Sequence, residues 1–316
     1  MTQRIPRAAD ERLEWLKSTP FFLMHLLPFL AILTGVRPLD VALCVGLYFG
    51  RMFFISAGYH RYFAHRTYRL SRFMQFVMAF GGGTAAQKGP LWWASHHRHH
   101  HLYSDLPEDV HSPRRGFWWS HVGWILCSKF GRTREDLIGD FAKFPELRWL
   151  NRWHLLPAIF LGAAVFLIGG WSALLVGFFL STVLLWHGTF TINSLAHVFG
   201  RRRYVTTDTS RNSFVLALIS CGEGWHNNHH HYQASMRNGF FWWEVDFSYY
   251  LVRMMSWLGL AHDLIDPPDA ILARNRVRDG CHDIGMLGGF ADRTAALRAL
   301  AAAARGAAVT AAAVSD

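Results

Sequence analysis

LDVALCVGLYFGRMFFISAGYHRYFAH, residues 39–65, runs without interruption from an apolar stretch into two histidines, His60 and His65. A helix needs about 20 apolar residues to cross the hydrocarbon core of a bilayer, and 39–59 meets that length. A membrane-crossing helix that ends in imidazoles predicts a metal site at a membrane surface.

Three further apolar segments flank this one, at 21–35, 155–168 and 171–195. Val36-Arg37-Pro38 separates the first pair and Gly169-Gly170 the second, both tight breaks of the kind that turn a chain back. Two such hairpins leave the N-terminus, residues 60–154 and the chain beyond 195 on one side. That middle region carries 14 Lys and Arg and the chain beyond opens with Arg201-Arg202-Arg203, whereas the short turns on the other side carry only Arg37. The excess of positive charge makes the large side cytoplasmic, with both termini and the histidines there. Arg51 lies inside the second segment. At a bilayer centre it would cost about 2.5–3.5 kcal/mol or more, so it is expected against a protein-lined interior or a carboxylate. Residues 73–95 are mixed apolar and glycine-rich, and are expected to form an interfacial or cap-buried helix. No cleavable signal is expected, because the first apolar run begins only near Phe21 and lacks a small-residue cleavage site.

Composition agrees with a chain that meets lipid. Charged residues make up only 17% and hydrophobic residues 51%, with 14 Trp and 25 Phe. The net charge of +10 does not indicate nucleic acid, since the basic residues sit beside apolar segments, as loops facing anionic lipid do. Cys44, Cys127, Cys221 and Cys281 are scattered, which excludes a disulfide framework or a thiolate metal site as a reading of their spacing.

The 19 histidines are concentrated in a few places. After His60 and His65 come His96-His97-Arg98-His99-His100-His101, then Asn193-Ser-Leu-Ala-His197, then His226-Asn-Asn-His229-His230-His231. Residues three and four apart share a helix face. His97, His100 and His101 are so related, as are His226, His229 and His230, and each set is expected to offer three imidazoles to one point. His60 and His65, five apart, fall about 140° apart on an α-helix, and are expected either to reach different metals or to sit where the helix unwinds. Asn193 and His197 can reach one site together. His25, His154, His187 and His262 read as structural singletons, and His96, His99 and His231 as supporting or surface residues. A structural zinc takes four ligands. Nine imidazoles are too many for one ion and suit two, and neutral imidazole suits iron, zinc, copper or nickel.

The four boxes HRYFAH, HRHHH, NSLAH and HNNHH, in this order, resemble those of the integral-membrane fatty acyl desaturases, in particular the Δ9 acyl-CoA (stearoyl-CoA type) group. The flanks SPRRGFWWSHVGW (112–124) and GEGWHNNHH (222–230) are similar to that group's extended motifs, and the likeness covers about residues 20–250. The resemblance implies an all-α membrane protein, with four transmembrane helices under a cytosolic helical cap that holds a histidine-ligated di-metal centre. It divides the chain into a cytosolic N-terminal segment (1–20), a membrane desaturase domain (21–266) and a partly disordered tail (267–316). It implies two non-haem irons on His60, His65, His97, His100, His101, His197, His226, His229 and His230, with Asn193 acting through a water and no catalytic residue beyond the metal centre. The implied reaction uses O2 and two electrons to place a cis double bond, at Δ9, in a saturated long-chain fatty acyl thioester. No haem, flavin or dinucleotide motif is present, so a separate donor is expected: a ferredoxin, a rubredoxin, a cytochrome b5-like protein or a reductase.

Unactivated methylenes offer acid–base groups nothing to act on, so a metal–oxygen oxidant is needed. A featureless chain must be positioned by a tunnel. Tyr48 and Met52 are candidates to close that tunnel, and Lys88, Arg114 and Arg115 to meet a phosphate. In animal acyl-CoA members an Arg-Asp pair precedes the second histidine box. Ser95 and His96 stand there in this chain, which leaves CoA, acyl carrier protein or a membrane lipid as the carrier, with CoA favoured. A related membrane hydroxylase or alkane monooxygenase is the alternative enzyme. A metal transporter is disfavoured, because the histidines lie at segment ends rather than at mid-membrane depth.

Overall fold

The computed structural model describes residues 8–277 and is mostly helical. The residues expected as N-terminal charges at Arg4 and Arg7, and the tail from 278 onward, lie outside the described residues. The start of the expected tail is described: it carries a short helix, Asp269–Ala273, and pairs Arg276 with Tyr204.

Three helical runs are long and apolar enough to cross a membrane: Ala9–Thr34, Pro38–Ala64 and Leu156–His197. The first contains α1, Trp15–Leu26, and continues through Leu27–Leu30 and Ala31–Thr34. The second begins with α2, Pro38–Phe53. Proline suits a first helical turn, where its missing N–H is not needed. Asp40 accepts the Arg37 backbone N–H at 2.8 Å and caps the same end. Arg51 of α2 is buried, as expected, but against hydroxyls rather than a carboxylate: it donates to Thr182 Oγ1 at 2.7 Å, to Ser181 Oγ at 2.5 Å and to the Leu47 carbonyl at 3.0 Å.

The third run is two arms, not one rod. Gly170 has φ 67° and ψ −155°, outside helical space. Its positive φ is open to glycine without strain, and the chain folds back there. Gly162 then faces Phe178 across the bend, and Val165 faces Gly177. The outer turns of the two hairpins meet where Arg37 donates to the Gly169 carbonyl. Ile32, Leu33, Leu167 and Ile168, near those turns, are strongly exposed. Exposed apolar side chains at the ends of apolar runs suit contact with lipid.

The 73–95 region forms two helices rather than one: α3, Arg72–Gly83, capped by Ser71 Oγ, and α4, Pro90–Tyr103. They pack over the end of the second run, where Gly58 lies against the Met78 carbonyl. A two-residue antiparallel pair, β1 (Arg69–Leu70) with β2 (Ala261–His262), pins the chain's later part to this layer. The two arms of the third run, α6 (Leu156–Ser172) and α7 (Ser181–Asn193), and the short helices α5 (Phe117–His121) and α8 (His226–His231) complete the frame around the histidines.

Candidate metal centre

His60, His65, His97, His101 and His229 each place a ring nitrogen within 4.8 Å of the others, and His100, His197, His226 and His230 do likewise. The two groups adjoin: the rings of His101 and His230 are 4.5 Å apart and those of His100 and His101 5.2 Å.

Helical winding explains the sorting. From Phe54 to Ala64 the second run widens to a π-helix, and the His65 N–H bonds the His60 carbonyl, five residues back, at 3.2 Å. Wider turns bring residues five apart onto one face, so His60 and His65 join one group. The expectation that each HxxHH set converges on a single point is corrected. On a helix, i+4 leads i by about 40° while i+3 trails it by about 60°. His97 and His101 therefore face the five-membered group while His100 faces the other. His226 and His230 face the four-membered group while His229 crosses over. Each box spans both groups.

The contacts inside the first group run Nε2 to Nε2: His60–His229 3.0 Å, His229–His101 3.0 Å, His101–His97 2.9 Å and His97–His65 3.0 Å. A ring nitrogen either donates in its plane or accepts, never both. The Nε2 atoms of His229, His101 and His97 each face two others, so hydrogen bonds cannot account for the set. Lone pairs aimed at one point are what a bound cation satisfies. Nitrogens about 2.0–2.1 Å from an ion lie about 3.0 Å apart at right angles and about 3.4 Å apart at tetrahedral angles. The observed spacing fits an ion with right-angle ligands. Burial, reinforced by neighbouring imidazoles, holds His97, His100, His101, His226 and His229 well below the usual histidine range, in the neutral form a metal requires.

The opposite ring nitrogens meet acids. His60 Nδ1 lies 2.6 Å from Glu223, His100 Nδ1 2.9 Å from Asp109, His230 Nδ1 2.7 Å from Asp208, and His197 Nδ1 3.2 Å from Thr209 and 3.5 Å from Asp105. Such partners fix the tautomer and raise ligand basicity. Burial opposes ionisation of Glu223, but His60 and Arg61 more than offset it and bring the carboxyl down to about 2. Likewise, against burial, His230 and His197 keep Asp208 well below the carboxylate range.

A cavity of about 510 Å³ opens beside the groups, lined by His97, His111, Asn193, Trp186, Phe190 and Phe21 among others, with Lys17 and Lys88 at its exposed end. Clefts of this size and apolar character suit a small organic ligand. His96 lines it too, its Nδ1 bonded to the Trp92 carbonyl at 2.9 Å. Ser95 is buried and donates to the Trp92 carbonyl. Tyr48 and Met52 do not line this cavity. They pack against Gly188, and Tyr48 Oη donates to the Ile219 carbonyl at 2.7 Å. Arg115 is held by Glu11 at 2.6 Å and lies over Trp119, and Arg114 donates to the Asp105 carbonyl.

Residues 38–264 match the family model described as fatty acid desaturase. The chain belongs to the fatty acid desaturases. It is similar to an sn-2 palmitoyl-lipid 9-desaturase of Nostoc sp., at 35% identity over 68% of this chain and 77% of the relative. It is similar also to Delta-9 acyl-lipid desaturase 2 of Arabidopsis thaliana, at 38% over 68% and 71%. An acyl-CoA C20 Delta5-desaturase of Anemone leveillei matches at 35% over 69% and 71%. This desaturase is an oxidoreductase and, with its apolar runs, a membrane protein.

Sequence spacing missed the acids of this desaturase. Asp105 and Asp109 follow the second box in SDLPED, Asp208 sits in TTDTS, and Glu223 lies three residues before His226. Only Glu223 had a positional signal. His111 was also missed: with His100 and Asp109 it forms a third set able to hold a metal, its ring 4.2 Å from that of His100.

Proposed function

We propose that this protein introduces a cis double bond, at Δ9, into a saturated long-chain fatty acyl group, with one iron held by each histidine group. The five-membered group would take its ion on His60, His65, His97, His101 and His229. The four-membered group would take its ion on His100, His197, His226 and His230, with Asn193 acting through a water. Bound iron supplies, with O2, the oxidising power that no side-chain acid or base has toward an unactivated methylene. The balance is one substrate, one O2, two electrons and two protons giving the alkene and two waters. The electrons come from a separate donor protein.

The observation that carries this reading is the convergence of nine imidazoles beside a cavity with His97 in its wall. The chain's own work is placement. Phe21, Trp186 and Phe190 exclude water and fix the acyl chain's depth, and Lys17 and Lys88 lie at the solvent end, where an anionic headgroup would rest. A membrane lipid is the better reading of the carrier than CoA. Arg115 is already paired with Glu11, Ser95 and His96 are internally bonded, and two of the relatives above are named for lipid substrates. The fold at Gly170 supports four spans, with the basic middle region, the histidines and both termini cytoplasmic.

The test is lipid analysis by mass spectrometry after expression with palmitate or stearate. A Δ9 cis monoene is expected, appearing in intact lipid before the acyl-CoA pool. A hydroxylated product without a monoene overturns the reaction, and a monoene confined to acyl-CoA overturns the carrier.

A further inference from the structure

Three histidines outside both metal groups form a continuous line. His25 of α1 contacts the Phe21 carbonyl through Nδ1 at 2.7 Å and His187 Nε2 through Nε2 at 3.0 Å. His187 of α7 contacts His121 Nε2 through Nδ1 at 2.9 Å. His121 of α5 contacts Ser194 Oγ through Nδ1 at 2.9 Å, and Ser194 Oγ lies 2.9 Å from the Phe190 carbonyl. Each ring uses both nitrogens, one toward each neighbour. This is the reverse of the five-membered group, where single nitrogens face several partners.

Counting protons decides what this line is. It has five contacts, and each needs one proton. Both ends are backbone carbonyls, which only accept. Three neutral imidazoles and one hydroxyl bring four protons. A neutral line therefore leaves two acceptors face to face within 3.0 Å, and a buried unsatisfied contact costs about 1–3 kcal/mol. One additional proton completes every contact.

We propose that His25, His187 and His121 share one proton beyond their neutral complement, and that the line is the proton reserve of the neighbouring active site. This rests on the desaturase reading, in which each turnover takes up two protons along with O2 and two electrons. The transfer moves no electrons: His121 Nδ1–H gives its proton to Ser194 Oγ while the hydroxyl turns from the Phe190 carbonyl and releases its own proton to water in the adjoining cavity, and the line takes up a replacement from solvent. Ser194 stands between Asn193, which lines the cavity, and His197 of the four-membered group.

The surroundings accept a cation. His25 lies against the rings of Phe21 at 4.5 Å and Trp186 at 6.0 Å, and His121 stacks on Phe117 at 5.5 Å. Aromatic faces attract a cation within about 6 Å. Burial, with His187 beside it, brings His121 down to about 4. The charged groups on the adjoining elements include Glu14 and Lys17 of the α1 segment, paired with each other at 2.6 Å, Lys88 across the cavity, Arg115, which lies over Trp119 and pairs with Glu11, and Arg51, which donates to Ser181 and Thr182. No carboxylate among the described residues is recorded in contact with the line.

The test is 15N NMR of the full-length, zinc-loaded protein labelled at histidine, in detergent at about pH 8, where an ordinary exposed histidine of pKa about 6.5 is neutral. One imidazolium signal is expected. Ser194→Ala removes no histidine but leaves three contacts for three imidazole protons, so the signal is expected to vanish. His25→Phe leaves three contacts for two imidazoles and a hydroxyl, with the same result. A wild-type protein with only neutral or metal-bound rings, or a signal that survives both substitutions, overturns the shared proton. In the desaturation assay Ser194→Ala is expected to lower kcat about a hundredfold at unchanged KM and bound metal, within the range of positioned proton transfer. An unchanged kcat overturns the role as proton reserve. Because the NMR measurement needs no turnover, an absent double bond with the imidazolium present would fault the desaturase reading alone.

Discussion

Nine histidines of this protein converge and three run in series, and the difference lies in which nitrogens meet. In the five-membered group Nε2 faces Nε2 repeatedly, so that His229, His101 and His97 each turn one atom toward two others. In the line of His25, His187 and His121 every contact uses a fresh nitrogen. The first pattern has no solution in hydrogen bonds and calls for a cation. The second has a solution, with one proton added. Clustered histidines thus divide into ligands and relays by connectivity, before any measured affinity.

The largest expected effect tests the convergent set. His229→Ala is expected to abolish desaturation and to lower bound metal from two ions per chain toward one, read by elemental analysis of the purified protein. His226→Ala is expected to remove the other ion. His187→Phe, in the serial set, is expected to keep both. Equal metal content in all three would erase the distinction between ligands and relays.

Stripping the metal is the next largest test. Ligand present at a thousandfold excess over its Kd stabilises a fold by about 4 kcal/mol. Chelation is expected to lower Tm sharply in the wild type and by the same amount in His25→Phe, since the serial line takes no part in holding the ion. Thermal unfolding with and without chelator reads this. A smaller loss in the variant would mean that the line supports the metal groups mechanically.

Smaller effects come from the acids behind the imidazoles, which are unevenly shared. His100, His197 and His230 have Asp109, Asp105 and Asp208 behind them, while the larger group has Glu223 behind His60. Three acids thus stand behind four ligands, against one behind five. Asp208→Asn is expected to weaken metal affinity about 10–100-fold, with the ion of the four-membered group lost first to a chelator. Glu223→Gln is expected to act on the other ion, and to destabilise the fold as well, because Glu223 also holds Arg61 at 2.9 Å and Ser56. Loss of the same ion in both variants would contradict the division into two groups.

Much of this was readable from the chain, and the gaps have physical causes. The four apolar segments were visible from length and composition, and the turn between the last two from Gly169-Gly170. The nine histidines stood out by spacing and by likeness to the desaturases. Their division into groups did not, because spacing arguments assume α winding, whereas Phe54–Ala64 winds wider and each HxxHH box looks both ways. Asp105, Asp109 and Asp208 bear no helical relation to the imidazoles they touch, since loops carry them there. His25, His121 and His187 are 162 and 66 residues apart along the contacts that join them, so tertiary packing alone creates the line.

His111 gives the smallest expected effect and fixes where the convergent set ends. Its ring lies 4.2 Å from His100 and 5.3 Å from Trp124, and it lines the cavity. Burial, reinforced by His100, brings it down to about 3, so it is neutral and able to ligate. Of the four-membered group it neighbours His100 alone, and it also meets the acid behind that ring: His111 Nδ1 is 3.9 Å from Asp109 Oδ1. That places His111 as a wall that holds Asp109, and through it His100, in position. His111→Phe is expected to keep both ions and to lower the desaturation rate less than about tenfold, below the usual cost of losing a direct outer partner. Loss of an ion on this substitution would make His111 a fifth imidazole of the second group and bring the two groups to equal number.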